Sequence, residues 1–131
     1  MPNTSKPSHS ECPSEHWEQS QFVSWWRKTQ PDMIFAIPNG GKRGPAQAAR
    51  LRLEGVLPGV WDLFAPERGL WIEFKRVGKG VLSTEQRKFG EKMLGAGYRC
   101  LVAYGYNDAV AQIEHGERGD WSRPKPQEPN Q

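Results

Sequence analysis

The chain has little cysteine, little histidine and no long apolar run, and each shortage excludes a class of protein. Only two cysteines occur among 131 residues, Cys12 near the N-terminus and Cys100 inside an apolar stretch. That is too few for a disulfide framework and fits a reducing cytoplasm. The three histidines, His9, His16 and His115, are scattered, so together with the cysteines they do not assemble a zinc site. Any bound metal must be held by carboxylates. No segment is long and apolar enough to cross a bilayer or to act as a signal peptide, so no membrane partner is expected. Charge of one sign is scarce too: 18 Lys and Arg stand against 15 Asp and Glu, a net +3, too small to name a partner by itself.

What is present is unevenly distributed. Hydrophobic residues make up 36%, and the ends dilute that figure, since "MPNTSKPSHSECPS" and "RGDWSRPKPQEPNQ" are rich in Pro, Ser, Asn and Gln. Residues 1–13 and 116–131 are therefore expected to be disordered tails around one domain at 14–115. Local basic clusters at Lys42, Arg43, Arg50 and Arg52, and at Lys75, Arg76, Lys79, Arg87 and Lys88, suit an anionic partner, or else are solvated helix faces.

Periodicity and punctuation predict the order α, β, α, β, β, α, β, α. Ser14 caps a helix to about Lys28, stopped by Pro31. A short strand, "MIFAI" at 33–37, leads into the turn-prone "PNGGKRGP". A helix over Ala46 to Glu54 closes at Gly55. A hairpin turns at "PERG", a helix opens at Ser83 and ends before Gly97, "YRCLVAY" is a strand, and Asn107 or Asp108 caps a last helix. The fold class is α/β, with a mixed sheet of about four strands flanked by helices. Phe74, the Ser83 helix and the Cys100 strand form a β-α-β crossover.

The hairpin carries the chemistry. With Pro66 to Gly69 as its loop, Ala65 pairs with Leu70, Leu63 with Ile72, Asp62 with Glu73 and Val60 with Lys75. Trp61, Leu63, Ala65, Leu70, Ile72 and Phe74 then share an apolar face, while Asp62, Glu73 and Lys75 gather at one end of the other. Opposed carboxylates repel. Lys75 offsets part of that repulsion, and a divalent cation would offset more. Hard oxygen donors suit Mg2+ or Mn2+. The bland alternative is a surface salt-bridge triad, and a one-residue slip would throw Asp62 to the opposite face.

Other residues carry two readings each. Ser83-x-x-Gln86 is a capping box, yet Gln86, Phe89 and Met93 fall on one helical stripe that turns the amide inward. Glu15, Gln19, Phe22 and Trp26 also form a stripe, and a Glu on an apolar stripe wants a cation or partner. Glu18 lies close by, either as a second candidate or as a first-turn acid favoured by the helix dipole. In "PNGGKRG", Asn39, Gly40, Lys42 and Arg43 either make a plain tight turn or contact a phosphate backbone.

Asp62 followed by Glu73-Phe74-Lys75 matches the D…E-x-K signature of the PD-(D/E)XK nuclease superfamily. With "IPNGGKR", "AARLRLEGVLPGVWDLF" and "GLWIEFKRVGKGVLSTEQRKFGEKMLGAGYRCLVAY", the chain over roughly 14–115 resembles a stand-alone VRR-NUC domain, the virus-type replication-repair nuclease branch. It departs from the family at Trp61, where Pro is usual.

The resemblance implies a restriction-endonuclease-like core and a Mg2+-dependent DNA endonuclease, with Mn2+ able to substitute. Asp62, Glu73, the Phe74 main-chain carbonyl and Glu15 would hold the metal, Glu15 and Gln19 reproducing the family's E-x-x-x-Q arrangement. Lys75 would act on the attacking water, with Gln86 beside it and Asn39, Gly40, Lys42 and Arg43 on DNA. It further implies a homodimer acting on branched DNA such as Holliday junctions, 5′-phosphate and 3′-hydroxyl products, and a cytoplasmic location, the bacterial host's if phage-encoded. Alternatives are a non-catalytic DNA-binding module of the same fold, or a flap, single-strand or restriction-type nuclease.

Overall fold

The computed structural model describes residues 14–38, 43–119 and 121. The proposed tail at 1–13, all of the proposed tail at 116–131 except 116–119 and 121, and Asn39, Gly40 and Lys42 lie outside the described residues. Among the described residues four α-helices and four strands run in the expected order: α1 Glu15–Thr29, β1 Phe35–Ala36, α2 Pro45–Leu53, β2 Leu63–Ala65, β3 Leu70–Lys75, α3 Thr84–Gly95, β4 Arg99–Tyr104 and α4 Tyr106–His115. The sheet order is β1-β2-β3-β4, antiparallel except for the parallel β3–β4 pair that α3 connects. The expected α/β class with a four-stranded mixed sheet therefore holds.

The hairpin register is the one the alternation dictates: Leu63 faces Ile72, Phe64 faces Trp71 and Ala65 faces Leu70. Pro66–Arg68 form a single 3-10 turn, and Gly69 closes it at a φ of 58°, a left-handed value that suits glycine. Beyond Leu63 the ladder stops, so neither the expected Asp62–Glu73 pairing nor the expected Val60–Lys75 pairing is formed. The Phe74 amide instead donates to the Asp62 carboxylate at 2.8 Å, and a side-chain acceptor there lets the chain bend at Asp62.

That bend corrects one sequence expectation. Leu63, Ala65, Leu70, Ile72 and Phe74 pack with Phe22 and Trp26 of α1 and Ala109 of α4 in one core. Trp61 instead packs with Phe89, Cys100 and Val102 in a second core under α3, with Trp71 against it. Strict alternation would have kept Trp61 with Leu63. Both faces of the sheet are thus covered, as a sheet with a parallel crossover requires.

The last helix also starts differently from expectation. Gly105, not Asn107 or Asp108, occupies the cap position of α4. Asp108, one turn in, accepts the Tyr104 amide at 2.8 Å. Side chains cover the outer edge of β4 in the same manner: Gln112 Nε2 donates to the Val102 carbonyl at 3.1 Å and Trp121 Nε1 to the Cys100 carbonyl at 3.1 Å. Such capping blunts an edge that could otherwise pair with another chain. Glu117, Arg118 and Trp121, which the composition places in a tail, take part in this region through Arg99, Asp108 and Trp61 respectively.

The approach to the hairpin is held by a glycine. Gly59 has a φ of +87°, and a Cβ there would lie 2.5 Å from the Glu85 carbonyl carbon. Gly59→Ala is expected to destabilise the fold by about 2 kcal/mol or more, from a disfavoured backbone and a clash with helix backbone. The urea unfolding midpoint measures this, and an unchanged midpoint would refute the packing described.

Candidate active site

Period-two alternation on β3 puts Glu73 and Lys75 on the same side, and the bend in the opposite strand brings Asp62 to them. Glu73 is only 2% exposed. One of its oxygens accepts the Asp62 amide at 3.2 Å, and the other accepts Gln86 Nε2 at 2.8 Å and lies 3.4 Å from Lys75 Nζ. The Lys75 side chain is 11% exposed, so its ammonium is held close to the carboxylates and not on a solvated tether. Asp62, Glu73, Lys75 and Gln86 therefore converge on one spot at the end of the hairpin.

Both readings of Gln86 hold at once. Its Oε1 accepts the Ser83 amide at 2.9 Å while Ser83 Oγ accepts the Gln86 amide at 3.1 Å, a complete capping box. The remaining end of the amide donates to Glu73. Capping holds the helix terminus and the side chain together, which fixes the amide's direction.

The first helix is rotated from the expected stripe. Its buried residues are Glu18, Phe22 and Trp26, so Glu18, not Glu15, lies on the core-facing line. Glu18 accepts the Tyr106 amide at the start of α4, where Gly105 has no side chain to cap the helix. Glu15 is exposed one turn earlier and accepts the Arg76 amide at 3.2 Å, just past Lys75. The structure thus turns Glu15 toward the site and commits Glu18 to α4. Arg43 reaches back to the Pro38 carbonyl at 3.4 Å, the only one of the four loop residues within the described region.

Burial governs the electrostatics. Desolvation, then the Asp62 charge, pushes the Glu73 pKa from 4.5 up to about 8, with Lys75 pulling the other way. Asp62 is also raised, chiefly by burial; the Phe74 amide opposes this and the Glu15 charge adds to it. One ammonium does not neutralise the carboxylates it faces.

Sequence reading missed one contact to this group. Trp61 Nε1 donates to the Gln86 carbonyl at 2.8 Å, tying the residue before Asp62 to α3. The available signal was an aromatic directly preceding the candidate acid.

No protein-family model matches the chain. No curated protein matches it either. Among solved structures, a VRR_NUC domain protein superimposes with a TM-score of 0.68 at 22% identity, over 79% of this chain and 88% of that one. The chain has a VRR-NUC-like fold. The likeness is one of fold, and the β2–β3 hairpin of that fold carries the carboxylates described above.

The raised Glu73 pKa makes stability depend on pH. A protonated Glu73 stabilises the folded state fully below its unfolded pKa of 4.5, and that contribution is lost as pH rises through about 8. Glu73→Gln, which stays neutral, should therefore gain in Tm relative to wild type as pH rises across that window in metal-free buffer. Thermal melts at several pH values measure the difference, and one independent of pH would contradict the assigned burial.

Proposed function

We propose that this chain is a Mg2+-dependent DNA endonuclease acting on branched DNA. The single observation that carries the reading is the pair of partly and fully buried carboxylates, Asp62 and Glu73, with Lys75 Nζ 3.4 Å from Glu73, on a VRR-NUC-like fold. A binding module would gain nothing from under-compensated carboxylates beside phosphate, because they repel it.

The donor set fits a hard divalent cation. Among the described residues no group of three or more His, Cys, Asp or Glu stands close enough to hold a metal ion; the candidate ligands are the two acids Asp62 and Glu73, and water and phosphate oxygens would fill the other positions. That is the pattern by which Mg2+ is bound, and Mn2+ can replace it. Asp62 and Glu73 would hold the ion with the Phe74 carbonyl, which in extended backbone points the same way as the Phe74 amide already directed at Asp62. Glu15, which α1 brings to the Arg76 amide, does not stand close enough to Asp62 and Glu73 to form a three-acid ligand set with them, so it would add negative charge at the rim of the site. Bound Mg2+ would supply Lewis-acid polarisation of the scissile phosphodiester and a lowered pKa for the attacking water.

The chain's own groups do the rest. Lys75 brings a compact ammonium with three donors to the reacting phosphate, where it orients the water and meets charge developing on the phosphate oxygens. Gln86 holds Glu73 in place through its amide. Arg43, with Asn39, Gly40 and Lys42, would contact the DNA backbone, and the exposed Arg50 and Arg52 of α2 add positive charge. A second copy of the chain would supply the second site needed to cut a four-way junction symmetrically.

Incubation with linear, flap and four-way DNA, with Mg2+, Mn2+ or a chelator, tests the reading. Cleavage should require the divalent ion and favour the four-way substrate, and Asp62→Asn and Lys75→Ala should each lower the rate about 100-fold or more. DNA binding without cleavage under any ion would support the binding-module alternative. A preference for flap or single-stranded ends would move the substrate class.

A further inference from the structure

We propose that Trp61 is the positioning residue of this site, holding α3 and therefore the Gln86 amide against Glu73, and that Trp121 clamps it there. The inference rests on the nuclease reading for what the positioned group does, but the geometry stands independently of it.

Four residues close a hydrogen-bonded circuit. Trp61 Nε1 donates to the Gln86 carbonyl at 2.8 Å. Gln86 Nε2 donates to one Glu73 oxygen at 2.8 Å, and the other accepts the Asp62 amide at 3.2 Å. That amide belongs to the peptide bond joining Trp61 to Asp62, so the path returns to its origin. Through it the hairpin and α3, which come from distant parts of the chain, are held in one register at the point where the carboxylates meet. The Trp61 bond is the circuit's only direct link between the hairpin and the main chain of α3. Without it, the Gln86 amide keeps its cap to Ser83 but loses the anchor that sets its distance from Glu73.

The indole is built into place. Trp61 is fully buried, and its ring lies 4.8 Å from that of Trp121 and 6.5 Å from that of Phe89. Trp121 is itself tied down by Nε1 to the Cys100 carbonyl at 3.1 Å and by its own carbonyl to Arg87 at 3.1 Å. Gly90 makes the room: a Cβ there would lie 2.5 Å from Trp61 Cζ2 and 2.1 Å from Trp121 Cη2. A glycine inside a helix is disfavoured, and here it allows two indoles to lie against the helix backbone, one turn beyond Gln86.

A purely structural Trp61 and a positioning Trp61 differ in how they couple to Gln86. The test uses full-length wild type, Trp61→Phe, Gln86→Ala and the double variant. It measures kcat and KM for Mg2+-dependent cleavage of four-way DNA, and the 1H–15N cross-peak of the Gln86 side-chain amide, assigned by its loss in Gln86→Ala. Trp61→Phe should shift that cross-peak and lower kcat about ten-fold with little change in KM. The double variant should be no slower than the slower single one, within about two-fold. An unmoved cross-peak, or losses in kcat that multiply, would overturn the proposal. If Trp61→Phe does not fold, 3-benzothienylalanine at position 61 replaces it, keeping the bicyclic shape without the N–H donor. If wild type cleaves nothing with Mg2+ or Mn2+, the nuclease reading falls, and the cross-peak alone decides the positioning role.

Discussion

The structure depends on placing one carboxylate, Glu73, where water scarcely reaches it and a second carboxylate faces it. Left alone, such a pair would cost several kcal/mol through desolvation and mutual repulsion. The surrounding elements can be read as the means by which that cost is offset. The hairpin supplies two backbone amides, one to each acid, α3 supplies the Gln86 amide, and β3 itself supplies Lys75. These donors reduce the penalty without removing it, and the raised Glu73 pKa records the remainder. In the proposed reaction, a divalent cation takes up that remainder.

The two hydrophobic cores follow from the same requirement. A buried acid on one sheet face needs a layer over that face to exclude water and carry donors, and α3 provides it with Phe89, Trp61 and Trp121 packed beneath. The other face is closed by Phe22 and Trp26 of α1 and by Ala109 of α4. Because α1 must also leave its N-terminal turn near Arg76, Glu15 comes beside Asp62 while Glu18 is drawn down to α4. The site is open on its Glu15 side and tight on its Gln86 side.

Much of this was legible from residue order. Alternation and the Pro66-to-Gly69 turn are local signals: period-two geometry puts Leu63, Ala65, Leu70 and Ile72 on one face, and the turn selects the register in which they pair. The Ser83–Gln86 capping box is equally local, with both bonds formed within one turn. The readings that changed depended on distant contacts. Alternation placed Trp61 with Leu63, but an Asp62 side chain accepting from Phe74, twelve residues on, bends the chain and moves Trp61 across. Helical spacing placed Glu15 on the buried stripe, but α1 rolls to meet the Tyr106 amide, 88 residues from Glu18.

The sequence by itself therefore determined the element order, the hairpin register and the side of the sheet on which Glu73 and Lys75 stand, because each is governed by short-range periodicity, turn chemistry or capping. Only the tertiary structure decided which α1 acid turns toward the site, how far burial raises the Glu73 pKa, and that Trp61 binds α3 through the Gln86 carbonyl. Those outcomes depend on how surfaces remote in sequence pack and on how much water the packing excludes, and no local pattern encodes either quantity.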